Sequence, residues 1–398
     1  MSFRFKITII FFLLCCICNQ LIAQQDGSRF VETEYTIGKI VPNYTKIFPT
    51  TSFQQSLTLS FGKQDFDTTN WGRYYRFPET GLSIFVSNLG NNKVYGNQFS
   101  VLPFIRFQLF NQTKPLYLKL ALGATYFTTH YDSITNKENL SNGSPFTWAF
   151  QAMLYKTIYQ KNDFNLKLVG GYSHHSNGHT QIPNFGLNSA LFGISAQWLN
   201  ARKNRVIKEG TIGVKPEFKL KRYFISLREG VGFHELGATY SPVGGDKKMV
   251  YTSSLSFGLL FNNHIKWKAG FAYRYYQHYF DYIKENNLTQ FNNAEWSASN
   301  IYFFTGVEFL MNHVGIDIEG GLNIYKPFYK KFNEDFQKDK GLNYELKRWL
   351  NARMGLNYYV FNTLNTPIHN VYFGAHINAN FGQADFTEFS FGYVYSLP

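Results

Sequence analysis

Apolar residues recur at every second position along most of this chain. Leu118, Leu120, Leu122, Ala124 and Tyr126 alternate with Lys119, Ala121, Gly123 and Thr125, and Leu255, Phe257 and Leu259 alternate with Ser254, Ser256 and Gly258. The clearest run sets Phe389, Phe391, Tyr393, Tyr395 and Leu397 against Ser390, Gly392, Val394 and Ser396. Successive side chains on a strand point to opposite faces, so each run predicts a strand with one apolar face and one mostly small or polar face. The same reading along the chain predicts strands at approximately 31–41, 53–63, 81–90, 96–108, 114–126, 145–158, 164–176, 187–199, 220–234, 248–261, 264–278, 296–311, 312–325, 344–358, 366–379 and 384–397.

The connections divide into two kinds. Asn91-Asn92, Asn162-Asp163, Asn262-Asn263 and Met311-Asn312 lie at or near tight reversals, whereas 127–144, 200–216, 279–295 and 326–343 are longer and polar. Short turns at one end and long loops at the other suit an antiparallel transmembrane β-barrel, in which closure calls for an even number of strands. Some of the strand candidates can pair in loops or at a barrel end. The all-β expectation is therefore one barrel of about 14 strands, within a range of 12–16. A soluble two-sheet sandwich also alternates, but it would have to bury the aromatic files between sheets, and its polar faces should carry more charge than these rows of Gly, Ser, Thr and Asn.

Composition agrees with a membrane barrel. Aromatic residues make up 19% of the chain and charged residues 16%, and no apolar stretch of helix-spanning length follows Gln24. The first 23 residues stand apart: Arg4 and Lys6 precede an apolar run from Ile7 to Ile17, and Leu21-Ile22-Ala23 ends in a small residue before the polar start at Gln24. This is the pattern of a cleaved signal peptide over 1–23, followed by a single barrel domain over 24–398 in the outer membrane of a Gram-negative bacterium. A retained anchor is the alternative, disfavoured by the short run. Cys15, Cys16 and Cys18 all fall inside the segment, so the mature chain would have neither disulfides nor a thiolate nucleophile. The 39 Lys and Arg, less Arg4 and Lys6, against 26 Asp and Glu leave a mature net charge of +11. Such a surface favours phosphate-bearing lipid. The basic residues are scattered and form no nucleic-acid module.

Candidate chemistry lies in Gly171-Tyr172-Ser173-His174-His175-Ser176-Asn177-Gly178, followed at Pro183-Asn184-Phe185-Gly186-Leu187-Asn188. Positions i and i+2 share a face, so His174 and Ser176 can meet on the apolar file of Phe164, Leu166, Leu168 and Tyr172, next to that of Phe192, Ile194, Ala196 and Trp198. On a barrel that file meets lipid. Serine needs a base, which histidine supplies near neutral pH, and the ester oxygen needs donors, for which the Asn177 amide or the main chain beside Gly178 are available. The plain alternative is a polar strand end followed by a turn. His175 falls on the opposite face, and His179 could join it at a metal only without a carboxylate or cysteine at ligand spacing, so neither metal nor cofactor is expected. His234, Glu235 and Glu308 read as lumen or loop groups that only folding could bring to His174.

The string from His174 to Asn188 resembles the active-site region of the outer-membrane lipid A 3-O-deacylase family, including the acyloxyacyl-hydrolase-like proteins of Bacteroidota. The resemblance is specific over about residues 170–199 and implies a β-barrel esterase that removes the 3-O-linked hydroxyacyl chain of lipid A, with lipopolysaccharide and membrane lipids as partners. It casts His174 as the base and Ser176 as the nucleophile, with Asn177 and Asn184 in the family's amide positions around the oxyanion and the site. Where the family carries a glutamate that orients the histidine, this chain has Asn188, whose amide oxygen can accept a hydrogen bond but adds no negative charge. The competing expectation is a non-enzymatic outer-membrane channel or ligand-binding barrel. Family barrels have eight strands, which residues 1–199 could supply alone. The remaining strands then imply either an enlarged barrel or a second barrel-like part, and the absence of a recognisable linker favours enlargement.

Overall fold

In the computed structural model, residues 27–43, 48–65, 71–75, 77–110, 115–200 and 221–397 are described. The expected signal peptide and most of the 200–216 segment lie outside them. Sixteen antiparallel strands are present, β1 (Gly27–Val41), β2 (Gln54–Asp65), β3 (Glu79–Asn88), β4 (Asn97–Gln108), β5 (Leu116–Phe127), β6 (Phe146–Lys161), β7 (Phe164–Ser176) and β8 (Leu187–Asn200), then β9 (Lys221–Glu235), β10 (Lys247–Phe261), β11 (Ile265–Tyr276), β12 (Ser299–Met311), β13 (Val314–Tyr325), β14 (Leu350–Tyr359), β15 (His369–Asn380) and β16 (Gln383–Ser396).

They close twice. β1 pairs with β2 on one edge and with β8 on the other, where Arg29–Val41 runs against Asn200–Asn188. β9 likewise pairs with β10 and β16, so the chain forms two separate eight-stranded barrels and not one barrel of about fourteen strands. An eight-stranded barrel is narrow enough for its inward side chains to fill it, and the inward charges meet within each half. In the first barrel Arg106 contacts Glu79 at 2.6 Å and lies over the Tyr155 ring at 4.1 Å, while Lys167 reaches Glu32 at 3.2 Å. In the second, Arg228 reaches Glu319 at 2.7 Å, Lys268 reaches Asp317 at 2.9 Å, and Arg353 reaches Glu388 at 3.0 Å. Buried charges persist only when paired and hydrogen-bonded. A single wide barrel would set these partners far apart.

The outward faces are apolar. Phe192, Ile194 and Trp198 of the first barrel and Leu255, Phe257, Phe271 and Phe389 of the second are all exposed, and Phe192 has 60% of its surface open. Closure removes the sheet edges, and the apolar wall suits lipid, which makes this an outer-membrane β-barrel protein and excludes the two-sheet sandwich. Among the described residues no helix is long and apolar enough to cross a membrane.

Both barrels point the same way. Segments 128–145, 177–186, 236–246, 277–298 and 326–349 share one end, and the latter two carry short helices, including Gln277–Glu285 and Gly341–Trp349. The tight reversals at Asn162, Asn262 and Asn312, each with positive φ, lie at the other end, together with the start of β1 and the end of β16. That layout assigns the first end to the cell exterior. The barrels touch at both ends: Trp148 Nε1 donates to Thr387 Oγ1 at 3.1 Å near the loops, and Tyr75 donates to the His264 carbonyl at 3.1 Å near the turns.

Candidate functional site

The end of β7 and the start of β8 build the site. Even-numbered residues of β7 face outward and odd ones inward, so His174 is partly exposed on the wall while His175 is buried in the lumen, bonded to Thr125 and Ser173. His174 and Asn188 are partners across the β7–β8 ladder, and His174 Nδ1 stands 2.7 Å from Asn188 Oδ1. Tyr172 donates its hydroxyl to the same oxygen at 2.6 Å. An amide oxygen only accepts, so this contact puts the proton of a neutral imidazole on Nδ1 and leaves Nε2 with its lone pair. Gly186 keeps the neighbourhood open: its φ is +76°, and a Cβ there would fall 3.0 Å from His174 Cε1.

Ser176 ends β7 on the same side as His174 but is only 7% exposed. Its hydroxyl contacts the Asn184 amide, with Oδ1 at 3.2 Å and Nδ2 at 3.0 Å, and accepts from the Gly178 amide at 3.2 Å; no hydrogen bond joins it to His174. Asn184 Oδ1 also accepts from the Asn177 backbone at 3.1 Å, so one side chain pins the whole corner. The Asn177 amide group, an expected oxyanion donor, is turned to the Gln181 carbonyl at 2.7 Å and stabilises the loop instead. The Gly178 and Asn184 donors are the ones aimed at the serine oxygen. The arrangement thus holds a histidine with its far nitrogen available, a serine two residues on, and two donors around the serine.

The second barrel covers this corner, which alternation within one strand could not reveal. Thr387 Oγ1 donates to the Asn177 carbonyl at 3.4 Å, and Gly178, at φ +65°, has no room for a Cβ, which would run into Thr387 Oγ1. The Asn184 backbone N–H donates to the Thr239 carbonyl at 2.7 Å, and the Ile182 backbone N–H to Glu235 Oε2 at 2.7 Å. His179 stacks on His234, with centroids 5.4 Å apart; burial holds the His179 imidazole below its ordinary pKa, against the pull of Asp385. Thus Glu235 and His234 reach the 177–186 loop, and Glu308 stays in the second barrel with Tyr359 and Asn357. His175 and His179 lie in different surroundings, and among the described residues no group of three His, Cys, Asp or Glu could hold a metal ion.

The lipid A 3-O-deacylase (PagL) family profile matches residues 62–197, from β2 through β8, so a PagL-like deacylase domain is present in the first barrel only. No curated protein matches the chain. Among solved structures, CdiB from Acinetobacter baumannii is similar at 9% identity and a TM-score of 0.17, over 94% of this chain and 60% of CdiB, so the chain spans under two thirds of that protein. A mutant of the TodX monoaromatic hydrocarbon channel gives 8% identity and a TM-score of 0.18, over 94% of this chain and 90% of TodX. The beta domain of the Bordetella autotransporter BrkA gives 10% and 0.23, over 94% of this chain and all of that domain. These scores are too low to carry a functional comparison.

Proposed function

We propose that the first barrel is an esterase of lipid A that removes a 3-O-linked hydroxyacyl chain through Ser176 and His174. The observation that carries this reading is the 2.7 Å contact of His174 Nδ1 with Asn188 Oδ1, on the outward face at the loop end of a PagL-like domain. In the reaction the Ser176 hydroxyl turns from Asn184 to His174 Nε2 and gives up its proton as its oxygen attacks the ester carbonyl carbon. The Gly178 N–H and the Asn184 amide would stabilise the oxyanion. His174 returns the proton to the leaving sugar oxygen, and water, deprotonated by His174, then releases the hydroxy fatty acid from Ser176. Catalytic hydrogen bonds are often unformed before substrate binds, so this reorientation is compatible with an esterase. Mass spectrometry of lipid A from cells expressing wild type, Ser176→Ala or His174→Ala tests it: loss of one acyl chain should require both residues.

A second reading, a non-enzymatic outer-membrane channel or ligand-binding barrel, is favoured by two observations. Ser176 is bonded to Asn184 and Gly178 in place of His174, and the orienting position holds an amide and no carboxylate. Planar-bilayer conductance and lipid A hydrolysis on the same purified protein separate the readings. Conductance without cleavage selects the second, and cleavage without conductance selects the esterase.

A further inference from the structure

The 177–186 loop is held from both sides, and the hold from the second barrel converges on one carboxylate. Glu235, at the end of β9, accepts the Ile182 amide at 2.7 Å through Oε2 and the Gly245 amide at 2.7 Å through Oε1. Its own amide donates to the His179 carbonyl at 3.3 Å. The residue is 1% exposed, although odd positions of β9 otherwise face outward and most are open. Two residues beyond Ile182, Asn184 donates to the Thr239 carbonyl, and its side chain then grips Ser176 and the Asn177 amide. A short path of hydrogen bonds and main chain therefore runs from Glu235 through Ile182 and Asn184 to the Ser176 hydroxyl.

We propose that Glu235 of the second barrel is a positioning residue for Ser176 of the first, so that the esterase site is complete only when both barrels are docked. This rests on the esterase reading above. A carboxylate buried against backbone donors contributes more than a neutral contact, and removing it leaves the buried Ile182 amide without its acceptor and frees the more exposed Gly245 amide. The loop would then relax, carrying the Asn184 amide away from the serine. Thr387 supports the same loop at its other end, through the Asn177 carbonyl and the Trp148 indole.

The test uses the full-length protein in detergent micelles, with two readouts. The first is amide hydrogen exchange of the 177–186 segment, which needs no activity; the second is the rate at which a fluorophosphonate probe captures Ser176. Glu235→Ala should raise exchange across 177–186 and slow capture at saturating probe by about tenfold or more, with little change in the probe concentration giving half-maximal rate. Glu235→Gln retains one acceptor oxygen and should fall between wild type and Glu235→Ala. Should Glu235→Ala fail to insert, Thr387→Val, with Thr387→Ser as its rescue, provides the same comparison. Wild-type exchange in the variants, or raised exchange with an unchanged capture rate, would overturn the proposal. Failure of wild-type Ser176 to take the probe would instead sink the esterase reading, in a channel separate from the exchange measurement.

Discussion

His174 and Asn188 face each other across the β7–β8 ladder, with the ring Nδ1 2.7 Å from the amide oxygen. The pair fixes which ring nitrogen carries the proton, and it does so without a negative charge. Asn188→Glu should maintain or increase ester hydrolysis, because a carboxylate stabilises the imidazolium formed when Ser176 is deprotonated. Asn188→Leu should lower it by about a hundredfold, since the ring loses its orienting acceptor. Steady-state hydrolysis of a lipid A ester by the two purified variants checks both directions.

Asn184 touches Ser176 through both ends of its amide. Asn184→Leu keeps a side chain of similar size and removes every one of these bonds. We expect kcat to fall by about a hundredfold to a thousandfold, the range for losing one oxyanion donor, while the barrel remains folded by its heat-dependent gel mobility.

The closure of the first barrel can be checked directly. Tyr35 and Ile194 are register partners on the outward face of β1 and β8. Partner Cα atoms in an antiparallel pair lie about 4.5–5.5 Å apart, within disulfide range. A Tyr35→Cys, Ile194→Cys double variant should therefore cross-link on oxidation and run as a looped species on a denaturing gel. In a single sixteen-strand closure β1 would neighbour β16, and no such product would form.

Arg106 is fully buried between Glu32 and Glu79. Arg106→Leu takes from Glu79 the guanidinium it pairs with and leaves Glu32 with Lys167 as its cation, and breaking a buried pair in this way costs about 3–5 kcal/mol. The expected outcome is a lower unfolding midpoint in denaturant, with partial recovery when Glu79→Gln is added.

The strands were legible because lipid outside and packed polar groups inside impose period two, and the sixteen expected segments correspond to β1–β16. The number of barrels was not, since alternation says which face a residue takes and nothing about which edge pairs with which. Whether β8 meets β9 or returns to β1 depends on partners such as Glu32 and Arg106, 74 residues apart. Period two does break after the eighth strand, over the polar 200–216 segment, but 127–144, 279–295 and 326–343 break it over a similar length, so the break alone marks no boundary. At the site, His174, Ser176, Asn184 and Asn188 are all within fifteen positions of one another, and the turn brings them together. Glu235 and Thr387 come from another barrel, with Thr387 210 residues from Asn177, and no local pattern marks them.

Cleavage of a lipid A acyl ester by Ser176 and His174, as proposed, is tested most directly by the acyl-chain count of lipid A in cells producing the protein. Mass spectrometry should show lipid A lacking one hydroxyacyl chain with the wild type, and the full complement with Ser176→Ala and with His174→Ala, both variants being present in the outer membrane at wild-type level. Full deacylation by both variants, or no deacylation by the wild type, would contradict the account.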